Sequence, residues 1–179
     1  TTRNIGVLSE SKRGRFWGRL MEKYPCASVL EIGCNVGGNL CHIPAARVVG
    51  VDVNEKALSI ARTIPGVEVF NAPAHRLPFT DTSFDMSFTV GVLIHIPDNE
   101  LGAVLDEMYR ITRKYLLTAE YEAPETTEKE YRGERGLLWS RPYGEIVGNR
   151  YPALRCIDIG LLGRLDGFDD VIWRLWEKQ

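Results

Sequence analysis

The segment Val29-Leu30-Glu31-Ile32-Gly33-Cys34-Asn35-Val36-Gly37-Gly38-Asn39-Leu40 carries the densest chemistry in the chain. Its short apolar start ends in Gly33, which permits a sharp turn. Gly37 lets a ligand approach the backbone, because neither glycine carries a Cβ. A dinucleotide fingerprint would read G-x-G-x-x-G and seat a pyrophosphate on a helix N-terminus. Here the spacing is Gly33-x-x-x-Gly37, with Asn35 where a middle glycine would stand. Glu31, just before the turn, opposes a pyrophosphate and suits a ligand with a cationic end. Asp52 follows Gly33 by 19 residues. At the end of a second strand, its carboxylate can accept hydrogen bonds from both hydroxyls of a ribose. Alone it would read as a helix cap, and the glycine loop turns the reading towards ribose.

Three histidines offer proton chemistry near neutrality. His95 stands close after a fourth strand and is either a general base or a capping, half-buried side chain. His75, beside Arg76, reads as solvated, and His42 as packed on a helix after the glycine loop.

These groups need a frame. Residues 10–24 place Phe16, Trp17, Leu20 and Met21 at helical spacing, and Pro25 stops them. Strands are expected at 28–33, 47–52, 67–70, 84–90 and 114–119, with helices at 54–63 and from Pro97-Asp98 onward. The latter buries Leu101, Val104, Leu105, Met108 and Ile111, with Asp98 as its N-cap. Residues 120–135 show no period and read as a mobile lid. A short helix at 143–149 and strands at 155–159 and 170–176 complete the chain. Strand and helix alternate, which predicts an α/β fold: a Rossmann-like, seven-stranded, mostly parallel sheet with helices on both faces and an antiparallel C-terminal strand. Ligands in such sheets bind beyond the carboxyl ends of the strands.

The length of 179 residues suits a single domain. Lys plus Arg number 22 against 24 Asp plus Glu, which removes the electrostatic argument for nucleic-acid binding. No apolar run reaches the ~18 residues of a membrane span, and no apolar signal segment opens the sequence. Cys26, Cys34, Cys41 and Cys156 form no C-x-x-C pair and, with the histidines, no zinc spacing. They read as small buried thiols in a reducing compartment, and the expected location is cytoplasmic with no bound metal.

Glu31-x-Gly33-Cys34-x-x-Gly37-x-Asn39-Leu40 followed by Gly50-Val51-Asp52 resembles the class I S-adenosylmethionine-dependent methyltransferases. The similarity continues through Leu77-Pro78-Phe79, Ser83-Phe84-Asp85 and Gly91-Val92-Leu93-Ile94-His95-Ile96-Pro97, covering about residues 28–120. Glu120-Tyr121, Tyr131-Arg132-Gly133, Tyr151-Pro152 and the closing Asp169-Asp170…Trp173…Leu175-x-Glu177-Lys178 resemble, more narrowly, the small methylases associated with pseudaminic acid biosynthesis. The resemblance implies S-adenosylmethionine as cofactor. Glu31, Gly33, Cys34, Asn35, Gly37 and Asn39 would hold its methionine end, Asp52 its ribose, and Val53, Pro73 and Ala74 its adenine. The family often has an Asp where Pro73 stands, so Asn71 or a backbone carbonyl must substitute. Thr89, Val90 and Gly91 would line the sulfonium and methyl group.

His95, Glu120 and Tyr121 are the catalytic candidates. Tyr131, Arg132 and Arg135 would close over a substrate, and Trp17 would roof it unless it is core. The implied reaction is methyl transfer to an oxygen, nitrogen or carboxylate of a small molecule, such as a sugar or amino-acid-like metabolite. The rivals are an inactive cofactor-binding module and an NAD-dependent oxidoreductase. One domain is expected over 1–179, with a cofactor core at 28–120 and a substrate-side cap from 1–24 and 120–150. The protein would act as a monomer or homodimer without nucleic-acid or membrane partners.

Overall fold

The computed structural model describes residues 11–179; the first ten residues of the expected cap, Glu10 included, lie outside them. Helix α1 (Lys12–Lys23) starts where Ser11 Oγ accepts the Gly14 N–H at 2.8 Å, and it buries Trp17, Leu20 and Met21. The strands are β1 (Ser28–Ile32), β2 (Arg47–Asp52), β3 (Val67–Asn71), β4 (Phe84–Val90) and β5 (Thr112–Glu120). Helix α2 (Glu55–Ala61) joins β2 to β3 and is capped by Asn54. Helix α3 (Asp98–Ile111) joins β4 to β5. All five apolar residues expected on the buried stripe of α3 are buried. A small hairpin of β6 (Thr127–Glu128) and β7 (Trp139–Ser140), helix α4 (Tyr143–Arg150), β8 (Leu154–Leu162) and β9 (Val171–Lys178) complete the element order.

The main sheet has seven strands in the order β3-β2-β1-β4-β5-β9-β8. Strands β1 to β5 pair in parallel, and β9 runs antiparallel to both β5 and β8. The expected fold class therefore holds. Chain order reverses at β1, which has β2 on one side and β4 on the other, and this opens a crevice beyond the strand tips. Alternate residues feed two cores. Val29, Phe88 and Leu117 pack with Trp17 and Leu20 of α1 on one face. Leu30, Ile32 and Leu116 pack with Leu105 and Met108 of α3 and Tyr143 of α4 on the other.

Several local expectations need correction. No α-helix follows the glycine loop; only one 3₁₀ turn, Leu40–His42, is formed. Pro44 explains it, since the residue before a proline is pushed from the helical region and Ile43 is extended (φ −85°, ψ 117°). Asp98 is the first residue of α3 and Pro97 its N-cap, because the Asp98 carboxylate is drawn to Arg141 at 2.7 Å. Residues 127–140 are a hairpin rather than an irregular lid. Lys129 N–H donates to Leu138 O at 2.9 Å, and Tyr131 N–H to Glu134 O at 2.8 Å. Arg132 and Gly133 both have positive φ (54° and 84°), the two-residue hairpin turn that follows strand twist. All four cysteines are free, yet only Cys34 is buried, and Cys156 is exposed on the edge strand β8.

Candidate functional site

A cavity of about 890 Å³ lies beyond the tips of β1, β2 and β4. Strand register sets its floor. Glu31 is level with Gly50 and Phe88, and Asp52 projects just past the Ile32–Val51 pair at the end of β1.

Glu31 reaches the cavity from a parallel strand buried on both faces and is only 2% exposed. Its Oε1 accepts from Asn39 Nδ2 at 2.6 Å, while buried Oε2 has no hydrogen bond. Burial lifts this carboxyl to about 8, opposed by the Asn39 bond and by Arg13. Asn39 Oδ1 in turn accepts from Arg13 Nη1 at 3.3 Å. Arg13 lies on α1 and also donates to Gly167 O at 2.6 Å. The result is a buried acid with one oxygen unmatched, a site that gains from a cation.

The glycine loop is folded on itself. Gly33 and Cys34 N–H both donate to Val51 O, Gly37 N–H to Cys34 O, and Asn35 N–H to Asp52 Oδ2 at 2.8 Å. With those donors engaged, four of the loop's N–H groups are closed to an anion. Gly33 has φ 73° with Val92 pressed against it, so a side chain there would collide. Gly37 (φ 79°) does not line the cavity. Its free side faces Ile64 and Ala61, so the close approach it permits is to α2 and its exit, not to a ligand.

Asp52 lines the cavity with Val53. Its Oδ1 accepts from Asn54 N–H and its Oδ2 from Asn35 N–H, both at 2.8 Å, which fixes the carboxylate and leaves further lone pairs. Pro73 and Ala74 lie along the same wall, with buried Ala72 beside them and exposed His75 at the edge. Asn71 is not among the lining residues, because its Nδ2 ties Asp52 O and Val53 O together at 3.2 and 3.0 Å. Cys34 and Asn35 also line the cavity. Burial pushes the Cys34 thiol up to about 12, so it is a small apolar wall and not a nucleophile.

At the tip of β4, Val90 and Gly91 line the cavity, but Thr89 is fully buried and does not. The same alternation splits the expected pair at the tip of β5. Tyr121 reaches the cavity, where burial and then Asp169 push its hydroxyl up to about 12. Glu120 lies away from it, 1% exposed, with Oε1 3.3 Å from the Val92 N–H. Burial lifts Glu120 to about 7 against the N–H groups of Val92, Leu93 and Ile94 and the Thr89 hydroxyl. Its buried Oε2 has no hydrogen bond, so Glu120 meets the backbone through Oε1, and it does not line the cavity.

His95 sits at the mouth on a 3₁₀ turn, Leu93–His95. Its Nδ1 lies 2.7 Å from Leu137 O, and its ring meets Tyr131 edge-on at 5.1 Å. A carbonyl can only accept, so Nδ1 carries a proton, and in the neutral ring the lone pair then falls on Nε2. Tyr131 lines the cavity from the hairpin. Arg132 and Arg135 are exposed and do not, because the turn points them outward. Trp17 is fully buried, 4.5 Å from the Phe88 ring, and is core rather than roof.

Sequence reasoning missed Arg13, Phe168 and Asp169, which line the cavity from opposite ends of the chain, and buried Arg141 beneath its rim. Asp169 had a signal, as part of the closing motif; a lone Arg in an amphipathic helix had none. No cluster of possible metal ligands exists among the described residues.

A family model for a methyltransferase domain matches residues 29–115. The 24-methylenesterol C-methyltransferase 2 of Arabidopsis thaliana is 31% identical over 163 residues, covering 85% of this chain and 44% of that protein. Methyltransferase GfsG of Streptomyces halstedii is 34% identical over 95 residues, 48% of this chain and 34% of that protein. The chain spans less than half the length of the plant sterol methyltransferases it matches. Among solved structures, 1,6-didemethyltoxoflavin-N1-methyltransferase of Burkholderia thailandensis, with 1,6-didemethyltoxoflavin and S-adenosylhomocysteine bound, superposes with a TM-score of 0.71. It is 16% identical, with 97% of this chain and 81% of that chain covered. The cyclase SpnF does so with a TM-score of 0.66 at 16% identity, covering 92% and 80%. These two likenesses establish the fold.

Proposed function

We propose that the chain, whose residues 29–115 match a methyltransferase domain model, binds S-adenosylmethionine and transfers its methyl group to a small-molecule acceptor. The observation that carries this reading is the pairing of Glu31, buried with a free carboxylate oxygen, and Asp52, a fixed carboxylate at the neighbouring strand tip, in one cavity. The cofactor combines an ammonium, a sulfonium and a ribose, and these two acids fit it. A nicotinamide dinucleotide would bring its pyrophosphate to Glu31 and to a loop in which the N–H groups of Gly33, Cys34, Asn35 and Gly37 are engaged.

When bound, S-adenosylmethionine supplies an electrophilic methyl on a positively charged sulfur. Glu31 would take the ammonium, Asp52 the ribose hydroxyls, and Val53, Pro73 and Ala74 the adenine; Val90 and Gly91 would border the methyl group. Such a displacement needs no acid on the leaving group, so the protein's task is alignment and exclusion of water. Where the acceptor carries a proton, the Nε2 lone pair of His95 would remove it. Tyr121, Tyr131, Phe168 and Leu138 give the acceptor side aromatic and apolar walls.

The name of the Arabidopsis relative supports including sterols among the acceptors to be tried, and the narrower sequence resemblance supports acidic sugars. The fold also serves a cyclase, so fold alone does not carry the reaction. Calorimetric titration with S-adenosylmethionine and, separately, NAD tests the binding. Tight NAD binding without S-adenosylmethionine binding would overturn the assignment. An acceptor screen read by S-adenosylhomocysteine release then separates a methyltransferase from an inactive binding module.

A further inference from the structure

We propose that Glu120 and Arg141 are positioning residues, which grip the His95 turn from opposite ends and set the imidazole so that Nε2 faces the reaction as a base. The positioning role rests on the function proposed above; the grip itself does not.

Both side chains are about 1% exposed, and no ion pair joins them. A buried charge normally requires a partner or several hydrogen bonds. Arg141 has Asp98 at 2.7 Å, and both side chains also bond the backbone of residues 92–96, Glu120 through Oε1 while its Oε2 has no hydrogen bond. Glu120 faces the N–H groups that a short helical turn leaves unpaired, those of Val92, Leu93 and Ile94. Arg141 takes the carbonyls on either side of His95, with Nη1 3.1 Å from Leu93 O and Nη2 2.9 Å from Ile96 O. The turn closes its own bonds, His95 N–H to Val92 O at 2.9 Å and Ile96 N–H to Leu93 O at 3.2 Å.

Arg141 also ties this turn to the hairpin. Its guanidinium bonds Asp98 and the Tyr143 hydroxyl, and Tyr143 Oη donates to Trp139 O at 3.2 Å. The hairpin brings the Leu137 carbonyl to His95 Nδ1. One buried cation thus fixes both the backbone that carries the ring and the segment that carries the acceptor for its Nδ1 proton. Free imidazole prefers the other tautomer, so a loosened turn would move the proton to Nε2 and cancel the base.

The test is nitrogen NMR of protein labelled with ¹⁵N-histidine, with His95 assigned by the loss of its signal in His95→Gln. At alkaline pH, wild-type His95 should show the Nδ1–H form. Glu120→Gln and Arg141→Lys should lose that signature in favour of Nε2–H while the His42 and His75 signals stay put. A merely structural role would lower the melting temperature and leave the His95 tautomer unchanged; that result in a folded variant overturns the proposal. Should both variants unfold, amide exchange in the wild type decides. Slow exchange at Val92, Leu93 and Ile94 supports the grip, and exchange at the rate of exposed loops sinks it. Titrating the same wild-type sample with S-adenosylmethionine keeps the two readings apart. No binding there would remove the proposed function and leave the tautomer result standing.

Discussion

Two carboxylates define the site, and their surroundings give them different behaviour. Asp52 is held by two backbone N–H groups at the surface end of β2. Its replacement by Ala should weaken S-adenosylmethionine binding by about 1–3 kcal/mol, the scale of hydrogen bonds to a charged group left unmade. Calorimetry checks this, and unchanged affinity would refute the ribose assignment. Glu31 sits near 8 because burial penalises its charge. A cationic ligand favours the ionised form, so binding must expel the Glu31 proton below that pH. Affinity should therefore rise as pH increases towards about 8 and then level, with proton release visible when titrations are repeated in buffers of different ionisation enthalpy. Glu31→Gln should bind more weakly and lose that pH dependence.

At the scale of elements, the division of labour follows from how each segment is packed. Helix α1 carries Trp17 into the core against Phe88, and one turn earlier sends Arg13 to the cavity. Trp17→Ala should cost about 3–5 kcal/mol of stability, as for large aromatic truncations in a close-packed core. Chemical denaturation measures that cost. If the variant instead stays stable and only loses acceptor binding, the roof reading of Trp17 returns. The hairpin depends on a turn whose central residues, Arg132 and Gly133, both have positive φ. Gly133→Val should loosen the hairpin, because a β-branched residue resists that conformation. The observable is faster amide exchange at Lys129 and Tyr131, whose N–H groups close the hairpin.

For the whole molecule, the buried acids set how stability varies with pH. Glu31 at about 8 and Glu120 at about 7 are raised from an ordinary 4.5. The folded state therefore holds more protons than the unfolded chain between about 4.5 and 8, and its stability declines as pH rises through that window. Asp85, Asp106, Glu107 and Asp158 are shifted the other way: Asp85 and Asp158 by hydrogen bonds that outweigh burial, Asp106 and Glu107 chiefly by Arg150 and Arg110. Their contributions are lost only as pH falls below the ordinary carboxylate range. Thermal melts of the ligand-free protein should thus show a maximum on the acid side of neutrality. A Glu31→Gln, Glu120→Gln double variant that remains folded should flatten the decline towards pH 8.

The sequence by itself determined the sheet and which residues end its first two strands, because apolar runs, glycine turns and terminal acids are local signals. It also set His95 close after the fourth strand, where it lines the cavity. Tertiary structure decided which neighbour faces the cavity. Successive strand residues point to opposite sides, so β4 offers Val90 and buries Thr89. At β5, the cavity receives Tyr121 while Glu120 turns to the backbone of the His95 turn. No residue type signals that phase at a strand end. Nor does any local pattern show that Arg13 and Asp169 meet in one cavity, or that Arg141 is buried. Such long-range contacts arise only when β9 inserts beside β5 and the hairpin folds back over the strand tips, where the backbone leaves polar groups that only a distant side chain can satisfy.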